Sequence, residues 1–366
     1  MFLFDGDFDW DFLRGERKCN AMTWIDSIIA SRLNGVGHTN EEIPFDLKAL
    51  VTRGIIVVQR NLYGNKKGRG ACSMMSNTLP YRESVDFIRA GILSGRPFMA
   101  GKVGTGDNET MLRYMDIHDK EACLLKWFKL LVGRRRPFWW DNSIRAGIGV
   151  CAGVFPPTVE GIEEFCRIYE TYLPEMDGFA SCADGETRIH DRYCPKAVPI
   201  TWDSLFPVFR GYTWMDALRG KRVLVVHPFV KTIVSQYEKA REVELHKNQG
   251  PFPDFDLLVY KPVNSIGGKN SEFSSWNDAL RSMEKDLSKL NFDVALIGCG
   301  VYGVPLSAHV KRMGRAAVHT GGTTQLLFGI KARRFDHWNC YNENWVHPMS
   351  DDVPPNLTQI EGGSFL

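Results

Sequence analysis

Two stretches of the sequence hold residues suited to a phosphorylated substrate. Gly298-Cys299-Gly300-Val301-Tyr302-Gly303 spaces three glycines as GxGxxG. Such glycines let the backbone approach an anion closely, and a helix opening behind them offers free N–H groups and a positive dipole end. A pyrophosphate suits that chemistry; a tight turn packing strand against helix suits the same glycines. Dinucleotide binding also wants a carboxylate about 20 positions on, at the end of the next strand. That place falls at His319-Thr320-Gly321-Gly322, which supplies none.

The second stretch is Asp107-Asn108-Glu109, preceded by Gly104 and Gly106. Two acids on a sharp turn can converge on a hard cation, Mg²⁺ or Mn²⁺, with other ligands drawn from water and a diphosphate. Equally, Asp107 could cap a helix and Glu109 face the dipole from its first turn. His227, followed by Pro228, and His319, followed by Gly321 and Gly322, stand where strands of an open α/β sheet end, the edge where such sheets bind ligands. Gln325 belongs to the same crevice. Asp184-Gly185-Glu186 is a rival pair, expected as a turn with two solvated acids that could supply a base for an acceptor hydroxyl. Trp139 and Trp140 could stack on sugar rings or fill a core. The run Arg134-Arg135-Arg136 suits a solvated turn or a phosphate site equally.

Gly106-Asp107-Asn108-Glu109, following a strand and opening a helix, resembles the Gly-Asp-Gly-Glu motif of GT-D glycosyltransferases, with Asn108 in place of the motif's second glycine. The stretches 220–229, 293–306 and 317–331 look like the C-terminal part of related bacterial and viral polysaccharide-biosynthesis proteins, so that the similarity spans 98–112 and 220–334. The resemblance implies a GT-D-like fold and a metal-dependent transfer of sugar from a nucleotide-diphosphate sugar to a saccharide acceptor, in polysaccharide or glycan biosynthesis. Asp107 and Glu109 would hold Mn²⁺ or Mg²⁺ and, with His227, form the catalytic set. Gly104, Gly106, Gly298, Gly300, Gly303, His319, Gly321, Gly322 and Gln325 would line the nucleotide-sugar site. An NAD(P)-dependent oxidoreductase and a non-catalytic saccharide-binding module are the competing readings.

The elements that must position these residues follow from periodicity. Strands are expected at 54–59, 97–103, 221–226, 255–260, 292–297 and 316–319. Helices are expected at 22–33, 81–93, 111–115, 121–132, 159–172 and 230–247, from 276 to 290, and through 310. In the 121–132 helix, Leu124, Phe128 and Leu131 share one stripe. Residues 61–77 read as an exposed loop. Strands alternating with helices imply an α/β, Rossmann-like parallel sheet with helices on both faces and an elaborated N-terminal and middle region. The chain divides on this reading into 1–80, 81–219, 220–335 and a tail, 336–366.

An apolar fraction of 44% permits a large core, and a net charge of +2 gives no reason to expect nucleic acid. No run nears the roughly 20 apolar residues of a membrane span, so membrane association would be peripheral at most. Nine cysteines without a CxxC pair read as reduced thiols, and the acidic start at Asp5, Asp7, Asp9 and Asp11 lacks a secretory signal's basic region. A cytoplasmic protein is expected. The oligomeric state is left open.

Overall fold

Seven short apolar segments run parallel in one sheet: β1 (Phe98–Gly101), β2 (Gly178–Ser181), β3 (Val198–Thr201), β4 (Arg222–Val226), β5 (Asp256–Tyr260), β6 (Val294–Ile297) and β7 (Ala316–His319), in the order β3-β2-β1-β7-β6-β4-β5. The computed structural model describes residues 75–131, 136–208, 210–247, 249, 252–265, 272–354 and 363–364. All of them belong to the compact unit 72–366. The helix expected at 22–33, the strand at 54–59, most of the 61–77 loop, and Arg134 and Arg135 lie outside the described residues.

Ten helices of the described chain are α1 (Tyr81–Leu93), α2 (Thr105–His118), α3 (Cys123–Leu131), α4 (Asn142–Ala146), α5 (Val159–Tyr172), α6 (Glu186–Tyr193), α7 (Val230–Lys239), α8 (Trp276–Leu287), α9 (Gly303–Arg312) and α10 (Thr324–Leu327). Strand side chains alternate between two cores, as a period of two requires. Met99, Phe179, Leu224, Ile297 and Ala317 meet α2, α5, α8 and α9 on one face. Phe98, Ala100, Ala180, Val225 and Val318 meet α1, α7 and α10 on the other. β1, β2, β6 and β7 are buried throughout, whereas the edge strands β3 and β5 are partly exposed. This is the pattern of a parallel sheet covered on both sides. The fold is a Rossmann-like α/β sheet.

Local chemistry fixes the helix starts. Thr158 Oγ1 accepts the Gly161 N–H at 3.1 Å to open α5, and Ser275 Oγ accepts that of Asp278 at 3.1 Å to open α8. Two expected helices have other bounds. α2 begins at Thr105, not at 111, because Gly104 in extended conformation already serves as its N-cap. α7 ends at Lys239, well before 247.

The middle region, irregular in sequence, supplies β2 and β3 to the same sheet as β4–β7. β1 joins these groups by pairing with β2 on one side and β7 on the other. Strands from 81–219 and 220–335 therefore share one sheet. Among the described residues, no helix is long and apolar enough to cross a membrane.

Candidate functional site

Register sets the site. Gly101 pairs with His319, His319 with Ile297, and Ile297 with Val226, so four strands end on one level. The next residues along each strand, Lys102, Thr320, Gly298 and His227, leave the sheet together at its carboxyl edge. Connections from β6 pass over one face through α9 and those from β4 over the other through α7, so the chain parts at this edge as it does in α/β ligand sites.

The half of this edge built by β4, β6 and β7 is closed by protein. A side chain on Gly303 would place its Cβ 1.9 Å from His319 Cε1, and one on Gly298 would meet Thr324 Oγ1 at 2.2 Å. Gly300 has φ +60°, where glycine is favoured. The imidazole of His319 thus occupies the place that Gly303 leaves free, and the β7–α10 turn fills the space beside Gly298. His319 is 2% exposed, and its Nδ1 lies 3.1 Å from the Ile297 carbonyl, which can only accept. Nδ1 therefore carries the ring proton. Burial pushes the pKa down to about 4, so the ring is neutral at ordinary pH.

His227, expected as a catalytic residue, is spent on its own turn: Nδ1 accepts the Phe229 N–H at 3.0 Å, the ring is buried, and burial pushes its pKa down to about 3. Gln325, expected to face the crevice, is fully buried and donates from Nε2 to the Lys331 carbonyl at 2.8 Å, closing the chain after α10. The glycine spacing is accounted for by packing.

The β1 half differs. Asp107 and Glu109 lie within the first turns of α2, not on a loop, and residues two apart on a helix point in nearly opposite directions. Asp107 is buried; its carboxylate folds back over Gly104, where the backbone N–H favours the charged form, in the manner of the acid in a capping box. It acts from inside the first turn, since the N-cap is Gly104. Tyr169 Oη lies 2.8 Å from Asp107 Oδ2 and 2.8 Å from the Val301 carbonyl oxygen. The Tyr169 hydroxyl is the donor in this group, and its one proton serves the two acceptors in reach, Asp107 Oδ2 and the Val301 carbonyl. Burial pushes the Asp107 pKa up, while the Tyr169 hydroxyl and Lys102 favour the charged form. Glu109 points elsewhere: it is 39% exposed, 3.8 Å from Arg113 Nη2, and ion-paired with Arg136.

These positions test the expected metal directly. One carboxyl is turned inward to a tyrosine and the other outward to two guanidinium groups, so as placed they do not fit a shared Mn²⁺ or Mg²⁺. Among the described residues no group of three or more His, Cys, Asp or Glu side chains is gathered as a metal site.

Glu186 corrects the expectation of two solvated acids. It is 1% exposed, accepts the Cys182 N–H at 2.7 Å and the Ser181 hydroxyl at 3.1 Å, and burial raises its pKa. Asn108, where the resembling motif has glycine, donates from Nδ2 to the Asp184 carbonyl at 3.1 Å and ties α2 to that turn. Trp139 is buried against Trp127 and Phe138, and Trp140 donates to Glu163 at 2.7 Å, so both serve packing.

Sequence reasoning missed Lys102. It is half-buried at the end of β1, its stem beside the place a Gly321 side chain would take and its Nζ 5.9 Å from the Trp202 ring centre. Its charge is felt at both Asp107 and His319. Among the described residues no hydrogen bond or ion pair engages its ammonium. The signal was legible: Lys102 is the cation of a strand-to-helix turn that continues Val103-Gly104-Thr105-Gly106.

No protein-family model matches the sequence, and neither a curated protein nor a solved structure matches it.

Proposed function

We propose that the protein is a glycosyltransferase of the GT-D type, moving a sugar from a nucleotide-diphosphate sugar to a saccharide acceptor. The observation that carries this reading is the joining of two motifs almost 200 residues apart: Tyr169 Oη bridges Asp107 of the acidic motif and Val301 of the glycine turn. Their strand ends lie two strands apart, with β7 between them.

The roles follow from what each group can reach. Lys102 is the cation for the donor diphosphate, compensating the charge that builds as the anomeric C–O bond breaks and the nucleoside diphosphate leaves. Glu109, the accessible carboxylate of the pair, takes the proton from the acceptor hydroxyl as its oxygen bonds to the anomeric carbon. Asp107 is a positioning residue that holds the start of α2 against Tyr169. As placed, the two carboxyls do not share a cation, and compensation of the leaving group's charge falls to Lys102.

The test is a panel of nucleotide-diphosphate sugars, read by thermal shift and by donor hydrolysis, with EDTA and with Mn²⁺. Lys102→Gln should abolish donor-induced stabilisation, whereas Glu109→Gln should bind donor and fail to turn over. Stabilisation by NAD(P) without any response to nucleotide sugars would replace this reading with an oxidoreductase. Binding of free saccharide alone, indifferent to nucleotide, would leave a saccharide-binding module.

A further inference from the structure

A cleft at the start of α1 is left unused by the proposed mechanism. It holds about 470 Å³ and is lined by Pro80, Tyr81, Arg82 and Glu83 and, from the loop beyond β3, by Arg210 and Tyr212. Small-molecule sites are of that size, about 300–1,000 Å³.

Two hydrogen bonds fix where the cleft lies. The Leu79 N–H donates to the Pro199 carbonyl at 2.9 Å and the Thr201 N–H to Ser84 Oγ at 3.1 Å, so α1 begins beside the carboxyl end of β3. The cleft is therefore at the same sheet edge as Lys102. Trp202 and Asp203, consecutive after β3, link the two places. The Trp202 ring centre is 5.9 Å from Lys102 Nζ, and Asp203 is ion-paired with Arg210 at 3.2 Å.

The walls are built from stacked pairs. Arg210 lies over the Tyr81 ring at 4.6 Å and Arg82 over the Tyr212 ring at 5.1 Å. Both tyrosines are themselves tied down: Tyr81 Oη donates to the Tyr212 carbonyl at 2.9 Å, and Tyr212 Oη to Asp86 at 2.5 Å. Stacking uses the face of a guanidinium and leaves its edge N–H groups to donate. Arg210 turns that edge to Asp203. Arg82 differs, since among the described residues no hydrogen bond or ion pair engages it.

Charge selects the ligand. Arg82 and Arg210 are opposed by Glu83 in the lining and Asp203 behind it, which leaves the cleft near neutral. A dianionic phosphate would face two carboxylates with one uncommitted cation. A carboxylate carries a single charge, and two parallel N–H bonds from a guanidinium edge match its two oxygens. The tyrosine rings and Pro80 supply flat apolar surface between the charges, which suits the C–H face of a pyranose.

We infer that this cleft binds a carboxylate-bearing pyranose, the acidic residue of a saccharide, with Arg82 on its carboxylate. Assigning that residue to the acceptor rests on the transferase reading; the binding itself does not.

The full chain is titrated with glucuronate, glucose, acetate and glucose 6-phosphate and followed by ligand-observed NMR. Glucuronate should bind, with glucose and acetate each weaker by about tenfold or more, since one lacks the charge and the other the ring. Arg82→Gln should weaken glucuronate binding about tenfold and leave the melting temperature unchanged, because the side chain is exposed and holds no described ion pair. Arg82→Lys keeps the charge without the two-pronged edge and should recover only part of the affinity. Absence of glucuronate binding, equal binding of glucose or acetate, tighter binding of glucose 6-phosphate, or full affinity in Arg82→Gln each overturns the inference. Glucuronate binding that persists without any response to nucleotide-diphosphate sugars upholds the cleft and removes the transferase reading instead.

Discussion

The two halves of the sheet's carboxyl edge use similar residues to opposite ends. On the β4–β6–β7 side, glycines and histidines lock into one another: His319 sits against Gly303, Thr324 against Gly298, and His227 on the Phe229 N–H. On the β1 side, Lys102, Glu109 and Arg136 keep charge at the surface, with Asp107 and Tyr169 beneath them. Nucleotide-like glycine spacing is thus compatible with a turn that protein fills, and the groups able to meet a charged substrate lie next to it. Above the β1–β7 ladder, the Tyr169 hydroxyl joins the two halves, reaching Asp107 on one side and Val301 on the other.

The strongest way to break this contrast is pH. Burial lowers His227 to about 3 and His319 to about 4, and lowers His246, buried against the Leu327 carbonyl, to about 4. A depressed folded pKa contributes stability that is full above the unfolded value of about 6.5 and is lost as pH falls toward the folded one. The unfolded chain then takes up three protons that the native one refuses, at most roughly 4 kcal/mol per pH unit near pH 5. Asp107 and Glu186, raised by burial, act in the other direction, their contribution growing as pH falls. Urea unfolding from pH 7.5 down to 4.5 should show a steep net loss; a flat profile would mean the histidines are not sealed neutral.

Gly303→Ala attacks one side alone. The new methyl would collide with the His319 ring, costing about 3 kcal/mol by overpacking. Adding His319→Ala should recover part of that loss, a coupling that a double-mutant cycle measures. Additive effects would separate the two residues. A smaller loss, about 1–3 kcal/mol, is expected for Tyr169→Phe, which strands the Val301 carbonyl and the Asp107 carboxyl in a buried place. Asp107→Asn should cost less, because its amide oxygen can still accept from Tyr169. Equal losses in the two variants would show that the contact needs the carboxylate itself and not merely an acceptor beside Tyr169. The smallest stability effect belongs to Glu109→Gln, below about 1 kcal/mol for a partly exposed ion pair. Under the transferase reading its turnover should nonetheless collapse while its melting curve hardly moves.

Much of this was legible because local chemistry is short-ranged. α1 and α5 follow from their apolar spacing, and β7 from its apolar run before His319. Parallel strands follow from the alternation of strand and helix. The start of α2 was misplaced because Gly104 makes an inconspicuous cap, and that shift changed the meaning of Asp107 and Glu109 from a converging pair to a diverging one. β3 escaped notice since Val198-Pro199-Ile200-Thr201 resembles a loop until Asp177 and β2 are beside it.

What the sequence determined by itself was the class of fold and the candidates at strand ends, since both depend on periodicity and on turn residues close along the chain. What only the tertiary structure decided was which candidates meet, which are buried and which way they face. Those outcomes depend on register between strands far apart in sequence: Gly101 opposite His319 brings Lys102 to the glycine turn's neighbour, and Tyr169 reaches Val301 across 132 positions. The same holds for α3: its apolar stripe was plain in the sequence, yet Leu124 and Phe128 face outward while Lys126 lies inward on the carbonyls at the end of α2.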